Sequence, residues 1–282
     1  MHLYPLSFIP ITKTMVWGSE SWILSCRPNE MSVIENGPCA GMTLEDYINQ
    51  NRTATLGTRL GAVSRFPLLL KIIDARDALS VQVHPDDVYA AQHSSHDTGK
   101  SEMWYIIKPP DDGHLIIGLK DGITRADFKR AYDENRVEDC LNRLKVQAGD
   151  MIDIPAGLVH ALTPGTVIAE VQQNSDTTYR LYDYNRMGLD GNPRELHVEH
   201  GLNVSDFDGR LPKAVVPSVC NPYFQVEHIT LEGTQHFFSD PGALTLFINL
   251  ENKTAMFIPA RLGAFSLFHE TRTGLLKITV PK

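Results

Sequence analysis

The sequence predicts an all-β fold, a sandwich or barrel of short strands with few helices. Many short segments are rich in Val, Ile, Leu and aromatic residues, and Gly, Pro, Asp or Asn residues separate them. This alternation of strand-like runs and turn residues is typical of sandwiches and barrels. Helical patterns are few and short. With 282 residues, of which 42% are hydrophobic, the chain is long enough for one large or two ordinary globular domains.

The predicted strands share β-branched and aromatic residues and are bounded by turn signals. In chain order they cover residues 21–26, 67–75, 79–85, 102–108, 114–119, 150–156, 166–173, 178–184, 224–231, 243–250, 255–260, 264–269 and 275–280.

Helices are predicted where a capping residue precedes a short amphipathic run. Thr43 and Thr124 each stand three residues before an Asp, which is a capping-box pattern. Pro85 and two acidic residues start a third helix. The segment 137–146, "VEDCLNRLKV", is predicted to be a fourth helix. The helix that begins after Thr124 and the segment 137–146 are together expected to form a small helical insertion near residues 122–147.

An internal similarity predicts two related β domains. "IDIPAGLVHAL" at 152–162 resembles "MFIPARLGAFSL" at 256–267, and this offset places His160 on Ala264. The segment between residues 205 and 220 is rich in Gly, Pro and Asp, as a connection between domains is. We therefore expect domains at 1–205 and 206–282, with the polar site in the first domain only.

Composition and charge limit the partners and the location. The net charge is −8 and no run of Lys or Arg occurs, so nucleic acid is not an expected partner. No segment approaches the length of a membrane span, and the N-terminal segment lacks the features of a signal peptide. The four cysteines lie far apart, which favours free thiols in the cytoplasm. The oligomeric state is left open.

One strand carries a polar row where an apolar face is expected. In "SVQVHPDD", Ser80, Gln82 and His84 share one face and two valines share the other. Glu102 lies in the segment "KSEMW", and His160 follows Pro155-Ala156-Gly157, where a tight turn would direct the next residues inward. A His₂Glu set leaves room for water or substrate on a divalent metal, which is the pattern of catalytic sites. The alternative is that these histidines are ordinary core residues.

A second polar row lies in "AEVQQNSDTTYRLYDYNR" at 169–186. Glu170 and Gln172 alternate along a strand, and Arg180 follows in the same alternation. The row fits either the solvent face of an amphipathic strand or a polar wall beside a metal, with Arg180 as a fixed cation.

These motifs closely resemble those of the type I mannose-6-phosphate isomerases in their shorter bacterial form. The resemblance rests on "LSVQVHPDD", "GKSEMWYII", "IPAGLVHAL" and "EVQQNSDTTYRLYDYNR", in the family's order and spacing, and runs from about residue 4 to 275. It implies a two-domain cupin fold of jelly-roll β-barrels. It also implies a zinc-dependent aldose–ketose isomerase whose substrate is a small sugar phosphate.

The resemblance also implies roles for individual residues. The implied ligands of one zinc ion are His84, Glu102 and His160, with Gln82 as the fourth. Arg180 corresponds to the family's catalytic arginine, and Lys100 and Glu170 line the family's site. Ser80 corresponds to a serine associated with the substrate phosphate, and Glu20 corresponds to an N-terminal acidic residue of the site.

Other interpretations stay open at the level of sequence. The general base of an isomerisation through a cis-enediol could be Lys100 or Glu170. The segment between Trp17-Gly18 and Glu20 is shorter than in the family, and the C-terminal domain also looks short. These departures favour a non-catalytic sugar-phosphate-binding cupin as the alternative. A different metal-dependent cupin enzyme, such as an oxygenase, is a further alternative.

Overall fold

A computed structural model describes residues 2–94 and 97–281, and most of its regular structure is β-strand. The all-β prediction is therefore confirmed. The chain forms two compact units. The first comprises Met1–Thr12, Ser21–Ile72 and Pro217–Lys282, and the second comprises Lys13–Glu20 and Ile73–Val216. This division places 21–72 with the C-terminal strands, whereas the sequence predicted a single boundary near residue 205.

The strands of the described residues are short, apart from two near the C-terminus. In chain order they are β1 (Leu6–Ile9), β2 (Ile11–Met15), β3 (Gly18–Leu24), β4 (Cys26–Arg27), β5 (Glu30–Met31), β6 (Val33–Ile34), β7 (Leu68–Ala75), β8 (Val81–Val83), β9 (Glu102–Lys108), β10 (His114–Leu119), β11 (Leu141–Lys145), β12 (Met151–Ile154), β13 (His160–Ala161), β14 (Thr166–Gln173), β15 (Tyr179–Tyr182), β16 (Val215–Val216), β17 (Val219–Cys220), β18 (Gln225–Phe238), β19 (Thr245–Asn249), β20 (Thr254–Ile258) and β21 (Ala264–Thr279).

The helices are α1 (Leu44–Gln50), α2 (Arg52–Leu56), α3 (Asp87–His93), α4 (Arg125–Asp133) and α5 (Val198–Val204), with 3-10 turns at Gly37–Cys39 and Val137–Cys140. None of the helices in the described parts of the chain is long and apolar enough to cross a membrane.

Two sheets of the second unit enclose a common core. One has the strand order β11-β10-β13-β8-β15, and the other includes the neighbouring strands β16-β12-β9-β14. Residues from both sheets, including Trp104 and Ile106 of β9 and Leu115 and Ile117 of β10, form one buried cluster. Their inner faces therefore line one interior, as in a jelly roll.

The outer face of the five-stranded sheet is covered by helices. Val81 and Val83 of β8 and Leu181 of β15 pack in a second cluster with Phe128 of α4 and Leu202 of α5. Since successive side chains of a strand point to opposite faces, the residues between these apolar positions point to the interior. This explains the polar row of β8.

The predicted capping residues start helices as expected. Thr43 accepts from the backbone N–H of Asp46 at the start of α1, and Thr124 forms a full capping box with Asp127 at the start of α4. Asp86 caps α3 in the same way.

The helix predicted over 137–146 is wrong. Only Val137–Cys140 turns, as a 3-10 segment, and Leu141–Lys145 is strand β11, which pairs with β10. The free edge of β10 offers backbone hydrogen bonds and a place to bury Leu141. Tertiary pairing of this kind outweighs the weak helix propensity of the segment.

The first unit is built on a sheet of order β17-β18-β21-β19-β20-β1-β6. Its two longest strands, β18 and β21, pair over most of their length. The two separate strands predicted at 264–269 and 275–280 are therefore parts of one strand. Leu231, Phe247, Ile258, Leu267 and Leu275 form a hydrophobic cluster of this unit.

Candidate active site

Three buried ligand groups converge inside the second unit. His84 follows β8, Glu102 begins β9 and His160 begins β13, and one ligand atom of each lies within 4.8 Å of the others. Nε2 of His84 is 3.3 Å from Oε2 of Glu102, and Nε2 of His160 is 3.5 Å from Oε1. All three side chains are almost fully buried.

The sheets explain why these distant residues meet. β13 pairs with β8 so that His160 lies opposite Gln82, and β8 in turn pairs with β15 so that Gln82 lies opposite Arg180. Glu102 belongs to the other sheet, where it lies opposite Gln172 of β14. The polar groups thus come from the inner faces of both sheets.

Backbone carbonyls fix the orientation of both imidazoles. Nδ1 of His84 donates to the carbonyl of Thr177 at 3.1 Å, and Nδ1 of His160 donates to the carbonyl of Leu158 at 2.8 Å. A carbonyl only accepts, so Nδ1 carries the proton in each ring. The lone pair of each neutral ring is then on Nε2, the atom that faces Glu102.

This donor set fits a divalent metal ion. Two imidazole nitrogens and a carboxylate, each oriented by a further hydrogen bond, are the arrangement found around catalytic zinc. Gln82 adjoins the set, and its Nε2 lies 3.3 Å from Nε2 of His160. Coordination by Gln82 requires its amide to rotate and present the oxygen.

The protonation states of the three groups suit metal binding. Burial lowers the pKa of His84 to about 3, with a further contribution from Lys100, and burial also lowers the pKa of His160. Burial acts to raise the pKa of Glu102, but Lys100 and the two histidines hold it well below its usual value. At neutral pH the rings are neutral and the carboxylate is charged, as ligands must be.

Lys100 lies directly beside the three ligand groups. Its Nζ forms an ion pair with Oε2 of Glu102 and donates to Nε2 of His84 at 2.9 Å. The lysine is 4% exposed, and its backbone N–H donates to the carbonyl of Pro85. A lone pair serves one partner at a time, so a metal ion on His84 requires that Lys100 gives up this hydrogen bond.

Glu170 reaches the same place from β14. It lies opposite Trp104 across the β9–β14 pair, and its Oε2 is 3.2 Å from the indole nitrogen of Trp104. The same indole nitrogen is 3.0 Å from Oε1 of Glu102. Glu170 is 3% exposed. Lys100 thus contacts Glu102 directly, whereas Glu170 is linked to Glu102 through the indole of Trp104.

Arg180 lies half-buried on β15, next to the strand of Gln82. Its Nη1 donates to the carbonyl of Glu195 at 2.6 Å. Its backbone N–H donates to Nδ1 of His197 at 3.3 Å, and the N–H of His197 donates to the carbonyl of Arg180 at 2.7 Å. The segment 195–197 therefore holds both the backbone and the guanidinium of Arg180.

Ser80 and Glu20 are placed differently. Ser80 is buried just before β8, and its hydroxyl lies 3.4 Å from Oε1 of Gln82, one position along the inner face. Glu20 is half-buried on β3, and β7 separates this strand from the β14 strand that carries Glu170. Ser80 thus belongs to the polar row, whereas the strand of Glu20 lies two strands away from the strand of Glu170.

Sequence reasoning missed two side chains of the site. Trp104 continues the alternation of Lys100 and Glu102, but an aromatic residue in a strand is usually a core residue, and only the indole contacts show more. No polar strand pattern surrounds His197 in the sequence, so the sequence alone does not single it out. Its pairing with Arg180 depends on the loop that returns from β15 to α5.

Comparisons with known proteins show which family the chain resembles. Residues 6–118 match the family model of the type I phosphomannose isomerase catalytic domain. The chain is 40% identical over 218 residues to a Bacillus subtilis protein named probable mannose-6-phosphate isomerase GmuF. That match spans 71% of this chain and 68% of the relative.

Solved structures show the same fold. The crystal structure of the mannose 6-phosphate isomerase from Bacillus subtilis superposes with a TM-score of 0.85 at 27% identity, covering 98% of this chain and 99% of that one. A mannose 6-phosphate isomerase bound with zinc and yttrium has a TM-score of 0.69 at 16% identity, covering 99% and 100% of the two chains. The second likeness concerns the fold alone.

Proposed function

The chain belongs to the type I mannose-6-phosphate isomerases, and we propose that it interconverts mannose 6-phosphate and fructose 6-phosphate with one zinc ion, through a cis-enediol intermediate. The observation that carries the proposal is the buried group of His84, Glu102 and His160, with both Nε2 atoms turned toward the carboxylate. A small sugar phosphate is the substrate expected to bind in this interior.

Four side chains are proposed to hold the zinc ion: His84, Glu102, His160 and Gln82. Nitrogen and oxygen donors without thiolate suit zinc in a catalytic site. When bound, the ion would polarise the substrate carbonyl or orient its hydroxyls.

Arg180 is proposed to stabilise the charge that develops on the substrate oxygens. Proton transfer between C1 and C2 gives an enediolate, whose oxygen is stabilised by a fixed positive charge. Burial, with the charge of Arg194, lowers the pKa of Arg180, yet a guanidinium stays protonated in the neutral range. Its anchoring to Glu195 keeps the group in place without substrate.

Glu170 is the better candidate for the general base. Lys100 forms an ion pair with Glu102 and donates to His84, so its Nζ acts as a hydrogen-bond donor in this arrangement. A carboxylate is ready to accept a proton, and the indole of Trp104 orients Glu170. We assign proton transfer to Glu170, and to Lys100 the role of a buried cation near the substrate oxygens.

Ser80 and Glu20 are proposed as substrate-binding residues. The Ser80 hydroxyl lies on the same inner face as Gln82 and His84 and can donate to a phosphate oxygen. The side-chain carboxyl oxygens of Glu20 can accept hydrogen bonds from sugar hydroxyls. The cytoplasm, where sugar phosphates are metabolised, is the expected location.

The test is a coupled assay of mannose 6-phosphate conversion by the purified protein. The assay is run before chelator treatment, after it, and after zinc is restored. We expect turnover to be lost with the chelator and to return with zinc. Turnover that persists in metal-free protein would contradict the metal role. Absence of turnover in folded, zinc-loaded protein would instead favour the sugar-phosphate-binding alternative.

A further inference from the structure

The indole nitrogen of Trp104 lies between the two buried carboxylates of the site. Nε1 is 3.0 Å from Oε1 of Glu102 and 3.2 Å from Oε2 of Glu170. Trp104 is 2% exposed. Glu102 and Glu170 are also buried, and neither is more exposed than Lys100. One N–H is therefore shared between the proposed metal ligand and the proposed base.

The sheet places the indole at this point. Glu102 and Trp104 are two residues apart on β9, so both point to the interior. Glu170 lies directly opposite Trp104 on β14, where cross-strand neighbours approach within contact distance. The ring also meets His160 edge-to-face, with centroids 5.3 Å apart and an interplanar angle of 86°. Trp104 therefore contacts two proposed metal ligands and the base.

The two oxygens of Glu102 have different partners. Lys100 and His84 approach Oε2, whereas Trp104 and His160 approach Oε1. The indole N–H is the neutral donor in this set, and it cannot lose its proton in the accessible pH range. It fixes the rotation of the carboxylate whether or not Lys100 is drawn toward a substrate.

We propose that Trp104 is a positioning residue that sets the distance between the metal-binding carboxylate of Glu102 and the base Glu170. The inference rests on the proposed function, since it takes Glu102 as a zinc ligand and Glu170 as the base. Hydrogen-bond partners of metal ligands typically contribute 10- to 100-fold to metal affinity or activity.

The test compares Trp104→Phe with Trp17→Phe. Phenylalanine keeps an aromatic ring in the core but removes the N–H. Trp17 is a matched control because it belongs to the same hydrophobic cluster and is 3% exposed. For each variant, zinc affinity is measured by competition with a chromogenic chelator, and kcat and KM for mannose 6-phosphate are measured with saturating zinc.

We expect Trp104→Phe to bind zinc about 10- to 100-fold more weakly than Trp17→Phe and to lose kcat with little change in KM. The two variants should have similar melting temperatures, since both lose the same packing volume. Equal zinc affinity and equal kcat in the two variants would overturn the inference. A wild-type protein that neither binds zinc nor turns over substrate would instead overturn the proposed function.

A second measurement is made on the wild-type protein and does not require Trp104→Phe to fold. In wild-type protein labelled with ¹⁵N-tryptophan, the indole N–H resonance of Trp104 is followed by NMR during zinc titration. Assignment uses Trp17→Phe and Trp22→Phe. We expect the Trp104 N–H to exchange slowly with solvent and to shift on zinc binding more than those of Trp17 and Trp22. A Trp104 signal that is insensitive to zinc would contradict the inference.

Discussion

The chemistry of the site depends on which atom of each side chain is presented. Nδ1 of both histidines is used by a backbone carbonyl, so Nε2 is left for a ligand. The alternation of Ser80, Gln82 and His84 predicted the face on which these residues lie. The carbonyls of Leu158 and Thr177 could not be predicted, because they belong to loops whose path depends on the whole fold.

Arg180 provides a prediction at the residue scale. Arg180→Ala should fold and keep its zinc affinity but lose about 10²- to 10³-fold in kcat, as removal of one charge-stabilising donor commonly does. Arg180→Lys should recover only part of this, because an ammonium lacks the planar fork that also reaches the carbonyl of Glu195. Steady-state kinetics with mannose 6-phosphate checks both variants.

The control for Arg180 is Arg143→Ala. Arg143 is an exposed arginine of β11 in the same unit, paired with Asp112. The Arg143→Ala substitution also removes one positive charge but should leave kcat unchanged. If Arg180→Ala retains near-normal turnover, the proposed role of Arg180 is wrong. If Arg143→Ala loses as much, the effect arises from net charge and not from position.

At the scale of elements, the positions of strands along the chain were predicted better than the pairing between strands. Period-two alternation identifies β8 and β14 from sequence, because the two faces of each strand meet different surroundings. It does not identify which strand lies opposite, so the meeting of Glu102 with His160 was a hypothesis. The failure at Leu141–Lys145 has the same cause, since pairing with β10 decides that segment.

Gly99 provides a prediction at the element scale. It passes so close to the start of α3 that an added Cβ would lie 2.5 Å from the backbone nitrogen of Asp87. Gly99→Ala should therefore destabilise the protein by about 1–3 kcal/mol, as overpacking does. Because Lys100 and Glu102 follow directly, the displaced backbone should also weaken zinc binding. Chemical denaturation and chelator competition measure the two effects.

Gly191→Ala separates a local effect from general destabilisation. Gly191 has φ of +77°, but its Cβ position is open. Alanine there costs backbone strain of about 1–2 kcal/mol without a clash. It should lower stability and leave zinc affinity unchanged. Unchanged zinc affinity in Gly99→Ala as well would show that the close approach at α3 does not position the site.

At the scale of the whole molecule, the buried ligand groups link the stability of the metal-free protein to pH. The pKa of His84 is about 3 in the folded protein, with burial as the main cause, against an ordinary value of 6.5. Between these values the unfolded chain binds a proton that the folded chain does not. The free energy of unfolding therefore falls as pH falls below 6.5, and this contribution is fully present only above it.

We expect His84 to account for a loss of about 2 kcal/mol between pH 7.5 and pH 5 in chelator-treated protein, at about 1.4 kcal/mol per pH unit. The lowered pKa of His160 acts in the same direction. Because the chain forms two compact units, this pH dependence is measured on the unit that holds the ligand groups. Urea unfolding is therefore followed by pulsed hydrogen exchange of peptides from β9 and β13.

His84→Gln should reduce this pH dependence by one proton, and His93→Gln, which replaces an exposed histidine of α3, is the matched control. An unchanged slope in His84→Gln would mean that the metal-free protein opens around His84 in acid and lets the ring protonate. The buried site would then be a property of the metal-bound protein. A reduced slope shows instead that the fold excludes water from the ligands before any metal arrives, and that the strands alone hold the site ready for the ion.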